Sequence, residues 1–403
     1  MRVEFFLLMW SVLCLSPCLS TQDGLSPNVT VSDLTFKNMD FAMDLYRKIS
    51  GYHDNNIFFS PLCLSTVFTA LSLGARGATR DQILKGLNLH LLQQPGNNRI
   101  IPELFQQLQR NITQDNALKF QQSMGLFVGH KFVVENEFIN HIQGFFGADI
   151  NTVDFRDAEG SLAAVNEYVM KKTDNKVKQM VSSIEPLTQL MLVDTIFFKG
   201  AWELPFNPNN TEKDRFYIDK YNIIQVPMMF KEDEFYNTHD KELKVKVLRL
   251  PYVGGSAMLI ILPNADVDYT EVDEEITATR FLKWIKALRE TKLEVRLPKF
   301  KMGQSYAMQK ILPSLGITDV FGDNANLTGL SKAPGLQVSE VLHKAVIEVD
   351  ERGTVAAAAT TVGITAYSLP TQFIVNRPFF FLIYHESTNS LMFMGRVIDP
   401  SKY

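Results

Sequence analysis

The sequence is poor in cysteine, and this excludes a fold stapled by disulfides. Only three cysteines occur in 403 residues, and Cys14 and Cys18 fall within an N-terminal apolar segment. Cys63 is then alone, so the rest of the chain can form no internal disulfide and must gain its stability from a large core. Because Cys63 lies in an apolar helical pattern, we predict that it is a small buried hydrophobic residue and not a reactive thiol.

The chain also has no excess of charge of one sign. Forty Lys and Arg residues are mixed with 44 Asp and Glu residues, which gives a formal net charge of −4. This excludes the basic surface that nucleic-acid binding needs, and the sequence has no acidic tail. After residue 30 there is no linker rich in Gly, Ser or Pro and no internal repeat, so we predict a single domain over residues 21–403.

Motifs for hydrolytic, metal and cofactor chemistry are missing as well. Residues 254–258 lack the final glycine of G-x-S-x-G, and His385-Glu386 is not followed by the second histidine of H-E-x-x-H. The histidines are scattered without metal-ligand spacing: His53, His90, His130, His141, His239, His343 and His385. We therefore expect no catalytic residues, no metal and no cofactor, and we predict that the protein is not an enzyme.

Residues 1–20 have the pattern of a secretory signal peptide. Arg2 supplies the positive charge, residues 5–14 form an apolar run too short to cross a bilayer, and small residues precede the expected cleavage after Ser20. No later stretch reaches the roughly 18 consecutive apolar residues of a membrane span. We predict a secreted, extracellular glycoprotein with N-glycosylation sequons at Asn28, Asn111, Asn209 and Asn326.

Hydrophobic periodicity predicts an α+β protein, with helices concentrated early in the chain and strands later. Phe41, Leu45 and Ile49 are spaced by four, as on one face of a helix. Ser60 has the residue type of a helix N-cap, and the apolar residues that follow predict a buried helix. Further helices are expected at 79–87 and 99–112, and strands at 191–198, 245–250, 257–262, 379–384 and 391–397.

One segment near the C-terminus fits no ordinary element. Residues 353–369 contain no charge and no proline, although Glu351 and Arg352 precede them. A loop or a disordered tether would normally be more polar. None of the alternate residues from Thr354 to Ala366 is charged or bulky. In a strand they would form one face, which could be buried, and the strand would be ~43 Å long at about 3.3 Å per residue. Such a length is exceptional, and it indicates a segment that changes state.

The chain resembles the serpin family over essentially its whole length after residue 20. Residues 56–61, 197–202, 226–229, 341–345 and 395–397 are similar to sequence motifs of that family. The resemblance implies the serpin fold: a large central mixed β-sheet with further sheets, a helical N-terminal half and an exposed reactive-centre loop at about residues 351–370.

The resemblance also implies how the protein works. A serine protease would cleave the loop between Tyr367 and Ser368, and the loop would insert into the main sheet while the protease is still attached as an acyl-enzyme. The implied hinge consists of Glu351, Gly353, Thr354, Ala356, Ala357, Ala358 and Ala359. The implied gate for sheet opening consists of Ser60, Asp194 and His343. Lys283 and Glu351 are expected to form an ion pair that latches the loop base, although ordinary structural hydrogen bonding explains both sets equally well.

Residues 364–370 and 219–221 resemble one group of serpins more narrowly. That resemblance implies coagulation factors Xa and XIa as targets and protein Z as a partner, docked at Lys220 and Tyr221. Chemistry alone points elsewhere, because an aromatic residue at position 367 suits a chymotrypsin-like protease. A non-inhibitory carrier or chaperone is the competing class, and the small residues at the hinge favour inhibition over it.

Four basic residues on two predicted helices give a weaker signal for a heparin-like polysaccharide. They are Arg80, Lys85, Arg99 and Arg110. A solvated helix face explains such spaced charges at least as well.

Overall fold

The computed structural model describes residues 29–114, 119–352 and 371–402. The expected signal peptide, the sequon at Asn28 and most of the predicted reactive-centre loop lie outside these ranges. The described residues form eight α-helices and fourteen β-strands. This confirms the α+β class.

The α-helices lie mostly in the first half of the chain, as the periodicity predicts. Their bounds are α1 Val31–Ser50, α2 Pro61–Gly74, α3 Gly77–Gly86, α4 Ile100–Thr113, α5 Asn136–Phe146, α6 Ala158–Lys172, α7 Tyr269–Asp273 and α8 Ala278–Ala287. Short 3-10 helices occupy His90–Leu92, Pro208–Asn210, Met308–Lys310, Leu312–Leu315 and Asp319–Phe321. None of the helices in the described ranges has the length and apolarity that crossing a membrane requires.

The strands dominate the second half of the chain. Their bounds are β1 Ile57–Phe59, β2 Lys119–Gly129, β3 Asp149–Val153, β4 Leu190–Lys199, β5 Glu212–Tyr217, β6 Ile223–Asp240, β7 Val245–Tyr252, β8 Ser256–Pro263, β9 Arg289–Pro298, β10 Phe300–Ala307, β11 Glu340–Val349, β12 Thr371–Ile374, β13 Phe379–His385 and β14 Ser390–Val397.

Nine strands form the larger sheet. Their order is β1-β14-β13-β8-β7-β6-β9-β12, with β5 paired to β6. The hairpin of β7 and β8 forms where the sequence predicts it. Gly254 and Gly255 turn the chain with φ values of 97° and 70°, a region in which a side chain would be strained.

Five strands form a second, mixed sheet in the order β10-β11-β4-β2-β3. Its central strand, β4, runs parallel to β11 and antiparallel to β2. Every residue of β4 except the last is buried, as expected for an apolar strand covered on both faces. The parallel junction between β4 and β11, called the seam below, runs through the middle of this sheet.

Helices α1 and α2 pack into the core between the elements. Phe41, Leu45 and Ile49 of α1 are fully buried, which confirms the predicted apolar face. Ser60 caps α2, because its hydroxyl accepts a hydrogen bond from the backbone N–H of Cys63 at 3.2 Å. The Cys63 side chain is fully buried, as the sequence predicts, and burial raises the pKa of its thiol well above the ordinary value.

Candidate functional site

The seam carries a hydrogen-bonded triad of fully buried polar residues. Asp194 of β4 and His343 of β11 are register partners, and the Nδ1 atom of His343 lies 2.7 Å from Oδ2 of Asp194. The backbone N–H of Ser60 donates to Nε2 of the same imidazole at 3.0 Å. Ser60, Asp194 and His343 are all 0% exposed. The structure therefore brings together the three residues that the resemblance to serpins predicts as a gate.

The donors and acceptors of the triad fix the histidine tautomer. Because Nε2 of His343 accepts from Ser60, its proton sits on Nδ1 and is donated to Asp194. The other carboxylate oxygen of Asp194 accepts from the side-chain amide of Gln122 at 3.1 Å. The hydroxyl of Ser60 donates to the carbonyl oxygen of Met392 at 2.7 Å. The triad thus ties β4, β11, β2, the start of α2 and β14 together at one buried point.

Glu351 lies two residues beyond the end of β11, at the base of the predicted loop. Its carboxylate accepts from Nζ of Lys299 at 2.8 Å and from the hydroxyl of Thr211 at 2.8 Å. Burial alone would raise the pKa of Glu351, but these hydrogen bonds outweigh it and hold the pKa below the ordinary value. The backbone N–H of Phe206 also donates to the carbonyl oxygen of Glu351 at 2.9 Å. The chain is therefore firmly anchored just before residue 353.

The expected ion pair between Lys283 and Glu351 is wrong. Lys283 lies on α8, where its Nζ is 3.6 Å from the carboxylate of Glu242. The lysine that reaches Glu351 is Lys299, which precedes β10. Phe300 of β10 pairs with Val349 of β11, so the hairpin register places Lys299 beside the residues that follow Val349. Lys299 lies next to β10, the strand that pairs with β11, so its side chain reaches Glu351. Lys283 lies on α8, which packs near β6 of the nine-stranded sheet, and is therefore not placed to pair with Glu351.

The far end of the loop is anchored in the other sheet. Residues 371–374 form β12, which pairs in parallel with β9. The chain from 353 to 370 therefore joins β11 of the five-stranded sheet to β12 of the nine-stranded sheet. The remaining hinge residues and the Tyr367–Ser368 bond lie in this stretch, outside the described residues.

Residues 176–182, which follow α6, cover one face of the seam and are called the segment below. Val177 and Val181 of this segment pack in one buried cluster with Phe197 of β4 and Val346 of β11. Two side chains hold the segment in place. Lys344 of β11 donates from Nζ to the carbonyl oxygen of Gln179 at 2.9 Å.

Asn166 of α6 makes the second attachment. Its side-chain carbonyl accepts from the backbone N–H groups of Met180 and Val181, and its amide donates to the carbonyl oxygen of Val181. Helix α6 and the segment therefore form one unit, and Lys344 fastens this unit to the sheet. The sequence does not predict these contacts of Lys299, Thr211, Lys344 and Asn166, because each contact depends on tertiary packing and not on a local pattern.

Lys220 and Tyr221 lie in the short connection between β5 and β6. Both are exposed, and Tyr221 is 91% exposed. The carboxylate of Asp219 accepts from the backbone N–H groups of Tyr221 and Asn222 and from the Asn222 side chain. These hydrogen bonds lower the pKa of Asp219, and the one from the Asn222 side chain has the largest effect. The connection thus presents a bare aromatic ring on a hydrogen-bonded turn.

The four basic residues that give a weak signal for heparin do not lie around one common site in the structure. Arg80 and Arg99 line one cavity, whereas Lys85 and Arg110 are exposed and do not contribute to it. Heparin binding at these residues stays a prediction. Of the sequons in the described ranges, Asn209 and Asn326 are exposed and Asn111 is half-buried.

The chain matches the family described as Serpin (serine protease inhibitor) over residues 36–400. It is 38% identical to the mouse protein Z-dependent protease inhibitor, in a match that covers 91% of this chain and 82% of that protein. It is also 38% identical to the human plasma serine protease inhibitor, with coverages of 90% and 89%.

Two solved structures superpose closely on the described fold. The crystal structure of the mouse protein Z-dependent protease inhibitor gives a TM-score of 0.86 at 38% identity, and the match covers 92% of this chain and 98% of that one. The structure of human thyroxine-binding globulin also gives 0.86, at 30% identity, with coverages of 93% and 100%. The fold is thus shared with proteins named as protease inhibitors and with one named for binding thyroxine.

Proposed function

Since the chain belongs to the serpin family, we propose that it is a secreted inhibitor that traps a serine protease as an acyl-enzyme. The protease attacks the carbonyl carbon of Tyr367, its serine oxygen becomes bonded to that carbon, and the bond to the nitrogen of Ser368 breaks. The protease histidine supplies the proton that leaves with the new amino terminus at Ser368. Inhibition follows when the second step, attack by water, is prevented.

The anchoring of the loop carries the proposal. Before cleavage, residues 353–370 are tied to β11 at one end and to β12 at the other, in different sheets. Cleavage after Tyr367 leaves residues 353–367 attached only to β11. The place that offers this segment backbone partners on both sides is the seam, between β11 and β4. Inserted there, the segment runs antiparallel to both neighbours and buries its uncharged face.

Insertion requires the seam to open. The bond between His343 and Asp194 crosses the seam, and the segment fastened by Lys344 covers it. Opening also breaks the backbone ladder between β4 and β11. The inserted strand replaces that one ladder with two, so backbone hydrogen bonds are gained. The acylated protease is carried along with Tyr367, and a small displacement of its reacting groups costs orders of magnitude in deacylation rate.

The formation of a covalent complex tests this proposal. The full secreted protein is incubated with factor Xa, factor XIa and chymotrypsin, and complexes are resolved on SDS gels. The Thr354→Arg variant places a guanidinium where the first inward side chain enters the sheet, and burying it without a partner is costly. We expect complexes with the parent protein and cleavage without complex for the variant. Equal complex yields from both would refute insertion, and a parent protein that is neither complexed nor cleaved would indicate a non-inhibitory carrier.

The target protease follows less directly from the site. We propose coagulation factors Xa and XIa, on the basis of similarity to the protein Z-dependent protease inhibitors. Tyr367 favours a second candidate, a chymotrypsin-like protease with an apolar specificity pocket. The same gels distinguish the candidates, since only the true target forms the complex at a useful rate.

We also propose that protein Z docks on the turn that carries Lys220 and Tyr221. Tyr217 and Ile223 flank this turn and are 38% and 50% exposed, so with Tyr221 they present apolar surface beside a cation. Exposed tyrosines on rigid turns are efficient anchors, because little conformational entropy is lost on binding. A membrane-bound partner would hold inhibitor and protease together and compensate for a poorly matched Tyr367.

The docking proposal is tested by rates. Factor Xa inhibition is measured with and without protein Z, calcium and anionic phospholipid. We expect the acceleration to vanish in the Lys220→Ala, Tyr221→Ala double variant and to persist in Tyr52→Ala, which removes a tyrosine that is 66% exposed elsewhere. Acceleration that survives the double variant would reject the docking site, and no acceleration in the parent would reject protein Z as the partner.

A further inference from the structure

A cationic cavity lies among α3, the start of α4 and α5, on a part of the surface that the inhibitory mechanism does not use. Its volume is about 430 Å³. Arg76, Arg80 and Arg99 line it, and His141 of α5 stands beside Arg99. Ligand pockets for small molecules begin at about 300 Å³, so the space is sufficient for a compact organic molecule.

The three guanidinium groups form no salt bridge with any carboxylate in the part of the chain that the structure describes. Within the described ranges, no Asp or Glu oxygen lies within 4.0 Å of Arg76, Arg80 or Arg99, although Glu137 lines the same cavity. Arg80 is half-buried, and its side chain makes no hydrogen bond to any described residue. Burial lowers the pKa of Arg80, the nearby carboxylate of Asp81 opposes this shift, and the charge of Arg76 adds to it to a smaller degree. An anion in the cavity would give these guanidinium groups a charged hydrogen-bond partner.

Two of the arginines are held in position by the fold. Nη1 of Arg76 donates to the carbonyl oxygens of Leu73 and Ala75, both at 2.8 Å. Its guanidinium occupies the space that a side chain at position 329 would take, since a Cβ on Gly329 would lie 2.4 Å from Cζ of Arg76. Arg99 donates from Nη2 to Nε2 of His141 at 3.1 Å. These groups are therefore oriented before any ligand arrives.

Part of the remaining wall of the cavity is apolar, next to the polar side chains of Asn97, Asn98 and Glu137. Leu73, Phe138 and Phe145 contribute it, and Phe138 is almost fully buried. Oriented guanidinium groups on one side and aromatic rings on the other match a molecule with an anionic end and an apolar body.

We propose that this cavity is a binding site for a small organic anion, in which a carboxylate, sulfate or sulfonate group meets Arg80 and its apolar body packs on Phe145. The site is independent of the proposed inhibitory function. A sulfated polysaccharide fits it less well, because a polysaccharide has no apolar body to cover the rings and needs an extended row of cations. Lys85 and Arg110, which would extend the row, lie outside the cavity.

Titration with anilinonaphthalene sulfonate, followed by its fluorescence, tests the proposal on the full native protein. We expect saturable binding at one site. Arg80→Met keeps the aliphatic stem but removes the charge, and it should weaken binding at least about tenfold, as for loss of a charge-assisted hydrogen bond. Phe145→Ala should weaken it about fivefold through lost apolar contact. Lys48→Met, an exposed cation on α1 away from the cavity, should leave binding within about twofold.

Three further arms decide between chemistries. Inorganic sulfate and neutral phenylnaphthylamine each carry half of the recognised features, so both should bind far more weakly than the sulfonate. A heparin oligosaccharide should not displace the sulfonate. The proposal is overturned if the parent shows no saturable binding, if Arg80→Met and Phe145→Ala both bind like the parent, or if heparin competes and its own affinity falls in Arg80→Met. Melting curves of each variant establish that it is folded.

Discussion

Replacing His343 by alanine removes two hydrogen bonds at a point that water does not reach. The imidazole accepts from the backbone N–H of Ser60 and donates to Asp194, and all three residues are 0% exposed. After the substitution the Ser60 N–H and one carboxylate oxygen of Asp194 have lost their partners. Each such buried group costs about 1–3 kcal/mol. For the two groups together, we expect the free energy of unfolding to fall by about 2–6 kcal/mol.

The matched control is Asp194→Asn, which keeps an oxygen to accept from Nδ1 of His343. The amide nitrogen of the new Asn would then face Gln122, whose own amide can rotate to present its oxygen. Because every hydrogen bond can be re-made, we expect a loss below about 1.5 kcal/mol. The pair of variants separates the loss of a partner from a mere change of residue.

Thermal unfolding of the uncleaved protein, followed by circular dichroism at one fixed scan rate, measures both effects. His343→Ala should lower the Tm by on the order of 3–7 °C, and Asp194→Asn by much less. A Tm for His343→Ala within about 1 °C of the parent would refute the assigned role of the buried triad. Equal losses in both variants would refute the hydrogen-bond explanation of that role.

Two further predictions follow from the contacts around the seam. Lys299→Met should destabilise the native protein by about 1–2 kcal/mol, whereas Lys283→Met should change stability by less than about 0.5 kcal/mol; urea unfolding compares them. The pKa of Glu351 is depressed in the folded state, so its contribution is present above the unfolded pKa and the difference from the parent should shrink as pH falls through the folded value. Lys344→Met frees the carbonyl oxygen of Gln179 and should speed amide hydrogen exchange at residues 176–182 several-fold; unchanged exchange there would contradict the fastening role of Lys344.

The sequence predicts the local elements well, because their signals are local. Phe41, Leu45 and Ile49 do face the core, and Ser60 does cap a helix. The apolar run at β4 forms the central strand of a sheet. The family resemblance, including the narrower one to protein Z-dependent protease inhibitors, is confirmed by the similarity over nine-tenths of the chain.

Pairs that join distant parts of the chain are predicted less well. The resemblance to serpins, and not any sequence spacing, predicts the gate of Ser60, Asp194 and His343. The structure shows why the last two meet, since the strand register places Asp194 opposite His343. The predicted ion pair at Glu351 is wrong. The resemblance to serpins implies Lys283 as the partner, but the β10–β11 hairpin places Lys299 beside Glu351 instead.

The sequence by itself determined helices α1 to α4 and strands β4, β7, β8, β13 and β14. It also determined that Cys63 has no disulfide partner after residue 20, and that residues 353–369 form an uncharged segment that no ordinary element would contain. Only the tertiary structure decided which lysine reaches Glu351, which residues fasten the cover over the seam, and which arginines surround a common cavity. The physical reason is range. Capping and periodicity act within a few residues of one another, whereas ion pairs, buried hydrogen bonds and cavities depend on strand register and helix packing, which bring together residues that are far apart in the chain.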